Sequence, residues 1–230
     1  MDTSSGRTAL EPAAAESAVA LRITEIFFSL QGETTRTGLP TVFIRLTGCP
    51  LRCGYCDTAY AFHGGSSMTV ASIVEAVAAY RTRYVTVTGG EPLAQKNCLA
   101  LLSLLCDRGY SVSLETSGAL DVSPVDARVS RILDIKTPGS GEVAKNQWEN
   151  LAHLNAHDEI KFVLCDEPDY TWARQQIEAR HLAEICPVLL SPSYRELEAA
   201  RLADWILRDQ LPVRLQTQLH KQLWGETPGR

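Results

Sequence analysis

The stretch of sequence that decides the fold reads Cys49-Pro50-Leu51-Arg52-Cys53-Gly54-Tyr55-Cys56. Its C-x3-C-x2-C spacing brings three thiols too close together for all of them to pair as disulfides, but they can converge on one soft metal centre. A structural zinc site needs a fourth protein ligand, and His63 is the nearest candidate. An iron–sulfur cube held by only three thiolates leaves one iron open to another ligand. Three interpretations stay open here: a cluster with an open iron, a Cys3His zinc site, and a loop of incidental thiols.

The composition indicates one globular domain in a reducing compartment. The chain has 230 residues, of which 45% are hydrophobic, and this is enough for one core. A formal net charge of −5 does not favour nucleic-acid binding. Because membrane-length apolar runs and a secretion signal are both missing, we expect a cytoplasmic protein without nucleic-acid or membrane partners. In that compartment the cysteines outside the motif are expected to be buried core residues: Cys98, Cys106, Cys165 and Cys186.

Strands and helices alternate over residues 21–230, which we expect to form one domain. Residues 1–20 show no amphipathic face and are predicted to be a disordered leader. The predicted strands cover 21–28, 41–46, 84–88, 110–115, 131–136, 160–164, 188–190 and 213–218. The predicted helices cover 69–80, 92–108, 142–156, 169–182 and 194–209. Strands separated by helix-length segments predict parallel pairing, and hence an α/β fold, an incomplete, open (βα)6-type partial TIM barrel.

The residues that follow the predicted strands should gather at one rim of such a barrel. They are the three cysteines, Gly89-Gly90-Glu91-Pro92, Thr116-Ser117-Gly118, Lys136-Thr137-Pro138 and Ser191-Pro192. The paired glycines remove side chains where a backbone or ligand must come close, and Glu91 offers a carboxylate to an ammonium group. A Gly-Gly-Glu-Pro turn alone could be structural. At the same rim as C-x3-C-x2-C, it disfavours the zinc interpretation.

Together, the two motifs resemble those of the radical S-adenosylmethionine (SAM) superfamily, in which an aromatic residue such as Tyr55 precedes the last cysteine. Further motifs make residues 22–224 similar to the 7-carboxy-7-deazaguanine synthases. These motifs are Ser29-Leu30-Gln31-Gly32-Glu33 ahead of Gly38-x-Pro40, Phe43-Ile44-Arg45, Gly48-Cys49, Tyr55-Cys56-Asp57-Thr58 and Gln218-Leu219-His220-Lys221. The related activases that form glycyl radicals lack the Gln-Gly-Glu and His-Lys motifs together.

The resemblance implies a role for each matching residue. Cys49, Cys53 and Cys56 would hold a [4Fe–4S] cluster whose open iron binds the amino and carboxylate groups of SAM. The residues implied to bind SAM are Tyr55, Cys56, Asp57, Gly90, Glu91, Asp134, Ile135, Lys136 and Ser191. The residues implied to bind a pterin substrate are Leu30, Gln31, Gly32, Glu33, Arg45, Thr88 and His220. Arg45 would bind the substrate carboxylate through two parallel hydrogen bonds, and Thr58 would ligate Mg²⁺. The alternative roles are a turn residue for Thr58 and a surface residue of the terminal strand for His220.

The implied reaction begins with one electron passing from the cluster to SAM. The resulting 5′-deoxyadenosyl radical would take hydrogen from C6 of 6-carboxy-5,6,7,8-tetrahydropterin. Ring contraction with loss of ammonia would give 7-carboxy-7-deazaguanine, a precursor on the queuosine path. A flavodoxin- or ferredoxin-type reductant and a homodimer are further implications of the resemblance. Two alternatives stay open: an activase that forms a glycyl radical on a partner protein, and a non-catalytic zinc-binding module.

Overall fold

The computed structural model describes residues 19–225, 227 and 229. Most of the predicted leader, residues 1–18, lies outside the described residues, and Ala20 already belongs to the first strand. The strands are β1 (Ala20–Leu30), β2 (Pro40–Leu46), β3 (Ser66–Thr69), β4 (Tyr84–Gly89), β5 (Ser111–Thr116), β6 (Ser130–Asp134), β7 (Glu159–Leu164), β8 (Val188–Pro192) and β9 (Arg214–Leu215). The α-helices are α1 (Val70–Ala78), α2 (Cys98–Asp107), α3 (Glu167–Ala179), α4 (Leu182–Ile185), α5 (Ala199–Asp209) and α6 (Leu219–Trp224).

All nine strands belong to one open sheet in the order β3-β1-β2-β4-β5-β6-β7-β8-β9. Every neighbouring pair from β2 to β9 is parallel. Strand β1 instead pairs antiparallel with both β2 and β3, because residues 31–39 form a turn rather than a crossover helix. The sheet is therefore mixed but mostly parallel, and the predicted open α/β fold is confirmed.

The predicted helix over 142–156 is wrong. The described chain forms two short 3₁₀ segments there, Val143–Lys145 and Trp148–His153. The reason lies in two asparagine side chains. Asn146 binds both backbone groups of the residue at position 136, and Asn150 binds the backbone of the loop after β5. Such side-chain bonds to the backbone compete with helix formation.

Two further predicted elements differ from the structure. The helix predicted from Pro92 starts with a separate 3₁₀ turn, and α2 begins only at Cys98. The predicted terminal strand shrinks to the two residues of β9, so that His220 lies on helix α6 instead. Gln216 explains this change, because its buried amide binds the carbonyl oxygen of Gly32 and turns the chain toward the loop after β1.

The hydrophobic core lies between the sheet and the helices. On α1 one apolar face is buried, formed by Val70, Ile73, Val74 and Val77, and Thr69 caps the helix by accepting a hydrogen bond from the Ser72 N–H. The predicted burial of cysteines is confirmed for Cys98 and Cys186, whereas Cys106 and Cys165 are half-buried. Within the described chain, the helices are too short or too polar to cross a membrane.

Two helical leucines test this account of the core. Leu101 on α2 is 0% exposed, whereas Leu207 on α5 is 74% exposed. We expect Leu101→Ala to lower the free energy of unfolding by about 2–5 kcal/mol, because it leaves a cavity against the sheet. The matched change Leu207→Ala should stay within about 0.5 kcal/mol of the parent. Urea unfolding followed by circular dichroism measures both, and equal losses would contradict the assigned core.

Candidate functional site

A cavity of about 470 Å³ opens at the carboxyl ends of the parallel strands. Most of the residues predicted for the site line this one cavity. They are Leu30, Gln31, Gly32, Glu33, Arg45, Cys49, Cys53, Tyr55, Cys56, Asp57, Thr58, Thr88, Gly90, Asp134, Lys136 and His220. Glu91, Ile135 and Ser191 do not line it. Loops from the two ends of the sequence thus meet above one rim of the sheet, as parallel pairing requires.

Backbone hydrogen bonds clamp the cysteine loop, residues 48–56, between two other loops. On one side the Glu91 N–H donates to the Gly48 carbonyl oxygen at 2.8 Å. On the other side the Gly54 N–H donates to the Ser140 carbonyl oxygen at 3.0 Å. A Cβ at Gly90 would overlap the carbonyl oxygen of Gly48, and this close approach explains why glycine stands there.

The carboxylate of Glu91 lies behind the cavity wall and is 0% exposed. It accepts hydrogen bonds from the Leu93 N–H, the Thr116 hydroxyl, and the Ser117 N–H and hydroxyl. These donors already occupy both oxygens, so the described conformation does not offer them to an ammonium group as the sequence suggested. Glu91 instead ties the loops after β4 and β5 to the cysteine loop through its own backbone.

The three thiols of the motif suit an iron–sulfur cluster. Burial raises the pKa of Cys49 and raises that of Cys53 to about 11, so iron must displace the protons as it binds. Among the described residues, no three histidine, cysteine, aspartate or glutamate side chains are grouped so as to hold one metal ion. A cube makes a different demand, since each thiolate binds its own iron.

Beside the cysteine loop, the wall contains polar atoms that lack protein partners. Lys136 Nζ donates to Asp134 Oδ2 at 2.8 Å and lies over the Tyr55 ring. Asp134 Oδ1 and Tyr55 Oη are buried without a hydrogen-bond partner in the described structure. Buried polar atoms normally have a partner. These two, next to the glycine-lined approach at Gly90, therefore fit a polar ligand of the size and chemistry of SAM.

Ile135 and Ser191 do not line the cavity in the described structure. Ile135 is buried in the core, and its N–H donates to the carbonyl oxygen of Lys161. Ser191 pairs in register with Val163, which lines the cavity, so Ser191 lies on the same face of the sheet although it is 1% exposed. The chain after β8 reaches the cavity two residues later, through Ser193 and Tyr194. The contacts of Ile135 and Ser191 with SAM stay predictions.

The other half of the cavity contains a network of buried charges. Lys161 Nζ contacts Glu33 Oε2. Glu115 accepts hydrogen bonds from the Thr88 hydroxyl at 2.9 Å and from Gln31 Nε2 at 3.3 Å. Burial raises the pKa of Glu115. Burial alone would also raise that of Glu33, but the Lys161 ammonium lowers it below its ordinary value.

Arg45 is held with its guanidinium facing the cavity. Its Nε donates to Glu25 Oε1 at 2.7 Å, and the Tyr60 hydroxyl donates to the same carboxylate oxygen. The guanidinium also lies over the rings of Phe27 and Tyr60. These contacts fix the side chain through one nitrogen, and the two terminal nitrogens are the ones that can grip a planar anion.

Helix α6 closes the cavity on the side of the loop after β1. A Cβ at Gly32 would overlap the imidazole of His220, and burial lowers the pKa of His220. Lys221 Nζ contacts Asp57 Oδ2 at 2.7 Å. Burial alone would raise the pKa of Asp57, but the Lys221 ammonium lowers it to about 2. The Thr58 hydroxyl donates to Asp57 Oδ1 at 2.9 Å.

The sequence analysis missed several lining residues, above all Glu115, Lys161 and Lys221. A signal existed for the first two. Each is an ionisable residue inside an apolar strand, at a position where alternation points it away from the helices. Lys221 belongs to the His-Lys motif that carries the resemblance, but no role followed from it, because its position depends on helix α6, which was not predicted.

Comparison with known proteins adds independent findings. The model of the radical SAM superfamily matches residues 43–136. The 7-carboxy-7-deazaguanine synthase of Chlorobaculum tepidum is 46% identical over 208 residues, covering 89% of this chain and 94% of that protein. The synthase of Koribacter versatilis is 41% identical over 225 residues, covering 91% of this chain and 100% of that protein.

The chain belongs to the 7-carboxy-7-deazaguanine synthase family. The crystal structure of QueE from Escherichia coli agrees in fold, with a TM-score of 0.74 at 24% identity, covering 91% of this chain and 99% of that one. Membership in this family of radical SAM lyases implies a [4Fe–4S] cluster and SAM. It removes the glycyl-radical activase and the zinc-binding module as alternatives. The predicted family is confirmed.

The cluster ligands of a 7-carboxy-7-deazaguanine synthase can be tested against a cysteine of the core. We expect Cys53→Ala, after anaerobic reconstitution with iron and sulfide, to lose the bound cluster and SAM cleavage, because three thiolates provide the protein's whole hold on the iron. The matched variant Cys98→Ala, at a position that is 0% exposed, should keep its iron and lose only packing stability. Iron and sulfide assays decide the point, and a full cluster in Cys53→Ala would refute the ligand assignment.

Proposed function

We propose that the chain converts 6-carboxy-5,6,7,8-tetrahydropterin to 7-carboxy-7-deazaguanine with loss of ammonia, a step of queuosine biosynthesis. The observation that carries this proposal is the cavity itself, in which the three cysteines and the fixed guanidinium of Arg45 line one space. The relatives that span nearly the whole chain, all named as this synthase, support it. Incubating the reconstituted protein with SAM, a reductant and the pterin tests it. Mass spectrometry should detect the deazapurine, and SAM cleavage without this product would refute the proposal.

The bound cluster and SAM would supply the one-electron chemistry that removes hydrogen from C6 of the substrate. The chain's own residues bind and orient SAM and the substrate, and they exclude water from the cavity. The residues proposed to hold SAM beside the cysteine loop are Tyr55, Cys56, Gly90, Asp134, Ile135, Lys136 and Ser191. The residues proposed to hold the pterin are Leu30, Gln31, Gly32, Glu33, Arg45, Thr88 and His220. Asp57 remains a proposed SAM contact, whereas Glu91 is proposed to act through its backbone.

Arg45 is the proposed anchor of the substrate carboxylate. Its terminal nitrogens can form two parallel hydrogen bonds to a carboxylate, which a single ammonium group cannot do. Glu25 and the rings of Phe27 and Tyr60 support this role, because they restrict the guanidinium before the substrate arrives. A binding group that is already ordered loses less entropy on binding.

Thr58 is the proposed protein ligand of Mg²⁺. Its hydroxyl lines the cavity two residues after Cys56, and it donates a hydrogen bond to Asp57. Magnesium commonly takes few protein ligands and completes its octahedron with water and substrate oxygens. The proposal therefore assigns the remaining positions to water, to the substrate carboxylate and to one lone pair of the pterin carbonyl oxygen, whose second lone pair stays available to a protein donor.

The remaining proposals concern partners, location and domain boundaries. We propose a flavodoxin- or ferredoxin-type reductant and a homodimer, both in keeping with the family. A cytoplasmic location is proposed because unpaired cysteines and an iron–sulfur cluster suit a reducing compartment. The radical SAM domain is proposed to begin at Ala20, the first residue of β1, one residue before the predicted start at 21, and the predicted leader of residues 1–20 is shortened accordingly.

We expect Arg45→Lys to weaken binding of the carboxylated pterin by about 1–3 kcal/mol, because lysine keeps the charge but loses the two-pronged contact. SAM binding and slow SAM cleavage should persist, since the cysteine loop is untouched. Arg36→Lys is the matched control, because Arg36 lies outside the cavity and binds the Ser111 carbonyl oxygen. Calorimetric titration measures each affinity. Unchanged substrate affinity in Arg45→Lys would remove Arg45 from the site.

We expect Thr58→Val to abolish the stimulation of turnover by magnesium and to raise the apparent KM for the pterin. Valine keeps the β-branched shape but removes the oxygen, so the cluster should still assemble and SAM should still bind. Thr58→Ser keeps a hydroxyl and serves as the control, which should retain the stimulation. Steady-state kinetics with and without magnesium separate the two. Stimulation of Thr58→Val equal to that of the parent would mean that Thr58 is only a turn residue.

A further inference from the structure

Lys161 is a buried cation in the middle of the cavity floor that none of the motifs predicted. It lies on β7, where Ile160 and Phe162 on either side are 0% exposed and pack in the core. Lys161 and Val163 instead face the cavity. An ammonium group inside a sheet is costly unless it is paired. Its presence at this position therefore calls for a partner within the cavity.

The protein accepts hydrogen bonds from only part of this ammonium group. An ammonium has three N–H donors, and Glu33 is its hydrogen-bond partner in the described part of the chain. Burial alone would lower the pKa of Lys161, but the carboxylates of Glu33, Asp134 and Glu115 raise it above its ordinary value. The group is thus firmly protonated and retains donors for an oxygen atom within the cavity.

The other cations of the cavity are paired differently. Arg45 pairs with Glu25 at 2.7 Å, Lys136 with Asp134 at 2.8 Å, and Lys221 with Asp57 at 2.7 Å. Each of these carboxylates has one cation of its own. Lys161 pairs with Glu33, and it shares the substrate half of the cavity with Glu115, which has no ion pair of its own among the described residues.

Gln31 links the Glu115 carboxylate to the backbone of Glu33. Its Nε2 donates to Glu115 Oε1 at 3.3 Å, and its Oε1 accepts from the Glu33 N–H at 3.1 Å. Each oxygen of the two carboxylates accepts one protein donor, from Gln218 and Lys161 at Glu33 and from Gln31 and Thr88 at Glu115. A carboxylate has about four acceptor sites, and these two line the cavity, unlike Glu91. A ligand that enters this half of the cavity therefore still meets acceptors at Glu33 and Glu115 and a donor at Lys161. The network requires a ligand with both N–H donors and an oxygen acceptor along one edge.

The pyrimidine edge of a 2-amino-4-oxopteridine has this pattern. Its amino group and N3–H donate hydrogen bonds, its C4 oxygen accepts one, and the ring N5–H of the tetrahydro form donates another. We propose that Lys161 donates to the C4 oxygen and thereby selects 4-oxo over 4-amino pteridines, with Glu33 and Glu115 as acceptors for the flanking N–H groups. This inference rests on the proposed function, and it adds a residue that determines specificity.

The test uses two unreactive ligands, pterin-6-carboxylate and 2,4-diaminopteridine-6-carboxylate. They differ in the group at C4 and also at N3, which is an N–H donor in the oxo ligand and an acceptor in the amino ligand. Their affinities are measured by anaerobic calorimetry on the reconstituted parent with SAM bound. We expect the parent to bind the oxo ligand at least about tenfold more tightly, because in the amino ligand a donor faces the Lys161 ammonium group and N3 no longer donates to a carboxylate. Failure of the parent to bind either ligand would overturn the proposed function itself.

Lys161→Met then isolates the ammonium group. We expect it to bind the oxo ligand about tenfold more weakly and the diamino ligand unchanged or better, so that the preference falls at least about tenfold and only the contribution of N3–H remains. Lys161→Arg, which keeps charged donors, should retain the preference. If Lys161 has only a general structural role, Lys161→Met should bind both ligands more weakly by the same factor. That result, or an unchanged preference in Lys161→Met, would overturn the inference. Iron content and SAM affinity equal to those of the parent establish that the variant is folded.

If Lys161→Met does not fold, Lys161→Gln provides the same comparison, because its neutral amide still donates hydrogen bonds. We expect it to retain a reduced preference for the oxo ligand. A complete loss of preference in Lys161→Gln would refute the assignment of Lys161 as a donor to the C4 oxygen. The matched control is Lys96→Met, an exposed lysine outside the cavity, which should bind both ligands as the parent does.

Discussion

The backbone clamp on the cysteine loop is the constraint on which the rest of the site depends. One hydrogen bond runs from the Glu91 N–H to Gly48 and another from the Gly54 N–H to Ser140. The cysteine loop contains no helix or strand of its own, so these contacts replace the support that secondary structure would give. The buried carboxylate of Glu91 holds the clamp in place by binding the loop after β5. Cluster ligands and SAM-facing atoms are thereby positioned by the sheet, which is more rigid than a loop.

A second constraint is electrostatic, because the cavity buries several charges of both signs. Taking an ion out of water costs several kcal/mol, which only a close partner offsets. The pairs Arg45–Glu25 and Lys136–Asp134 meet this requirement at 2.7 Å and 2.8 Å. Glu115 has hydrogen bonds but no ion pair of its own among the described residues, and burial raises its pKa. The uneven pairing distinguishes groups that support the site from groups that remain available to a ligand.

The alternation of strands and helices predicted the sheet and the loops at its rim, because parallel strands deliver the residues after them to one edge. Most of the other lining residues were predicted from the resemblance to the 7-carboxy-7-deazaguanine synthases. Prediction from the sequence failed where tertiary contacts override local pattern. Residues 142–156 have helical length, but Asn146 and Asn150 bind the backbone instead of allowing a helix. Glu115 and Lys161 were read as parts of apolar strands, and their inward position follows only from the register of the sheet. Helix α6 depends on the contacts of Gln216, which no local pattern reveals.

The loop on the other side of the clamp is anchored in the same way as the Glu91 side. Asp169 on α3 is 1% exposed and accepts hydrogen bonds from the Gly139 N–H at 2.8 Å and the Thr137 hydroxyl at 2.9 Å. Those residues lead into Ser140, the acceptor for the cysteine loop. A buried carboxylate thus anchors each side of the clamp. Since protein donors bind both carboxylates, the position of the cysteine loop follows from the packing of the sheet and α3 rather than from the loop's own sequence.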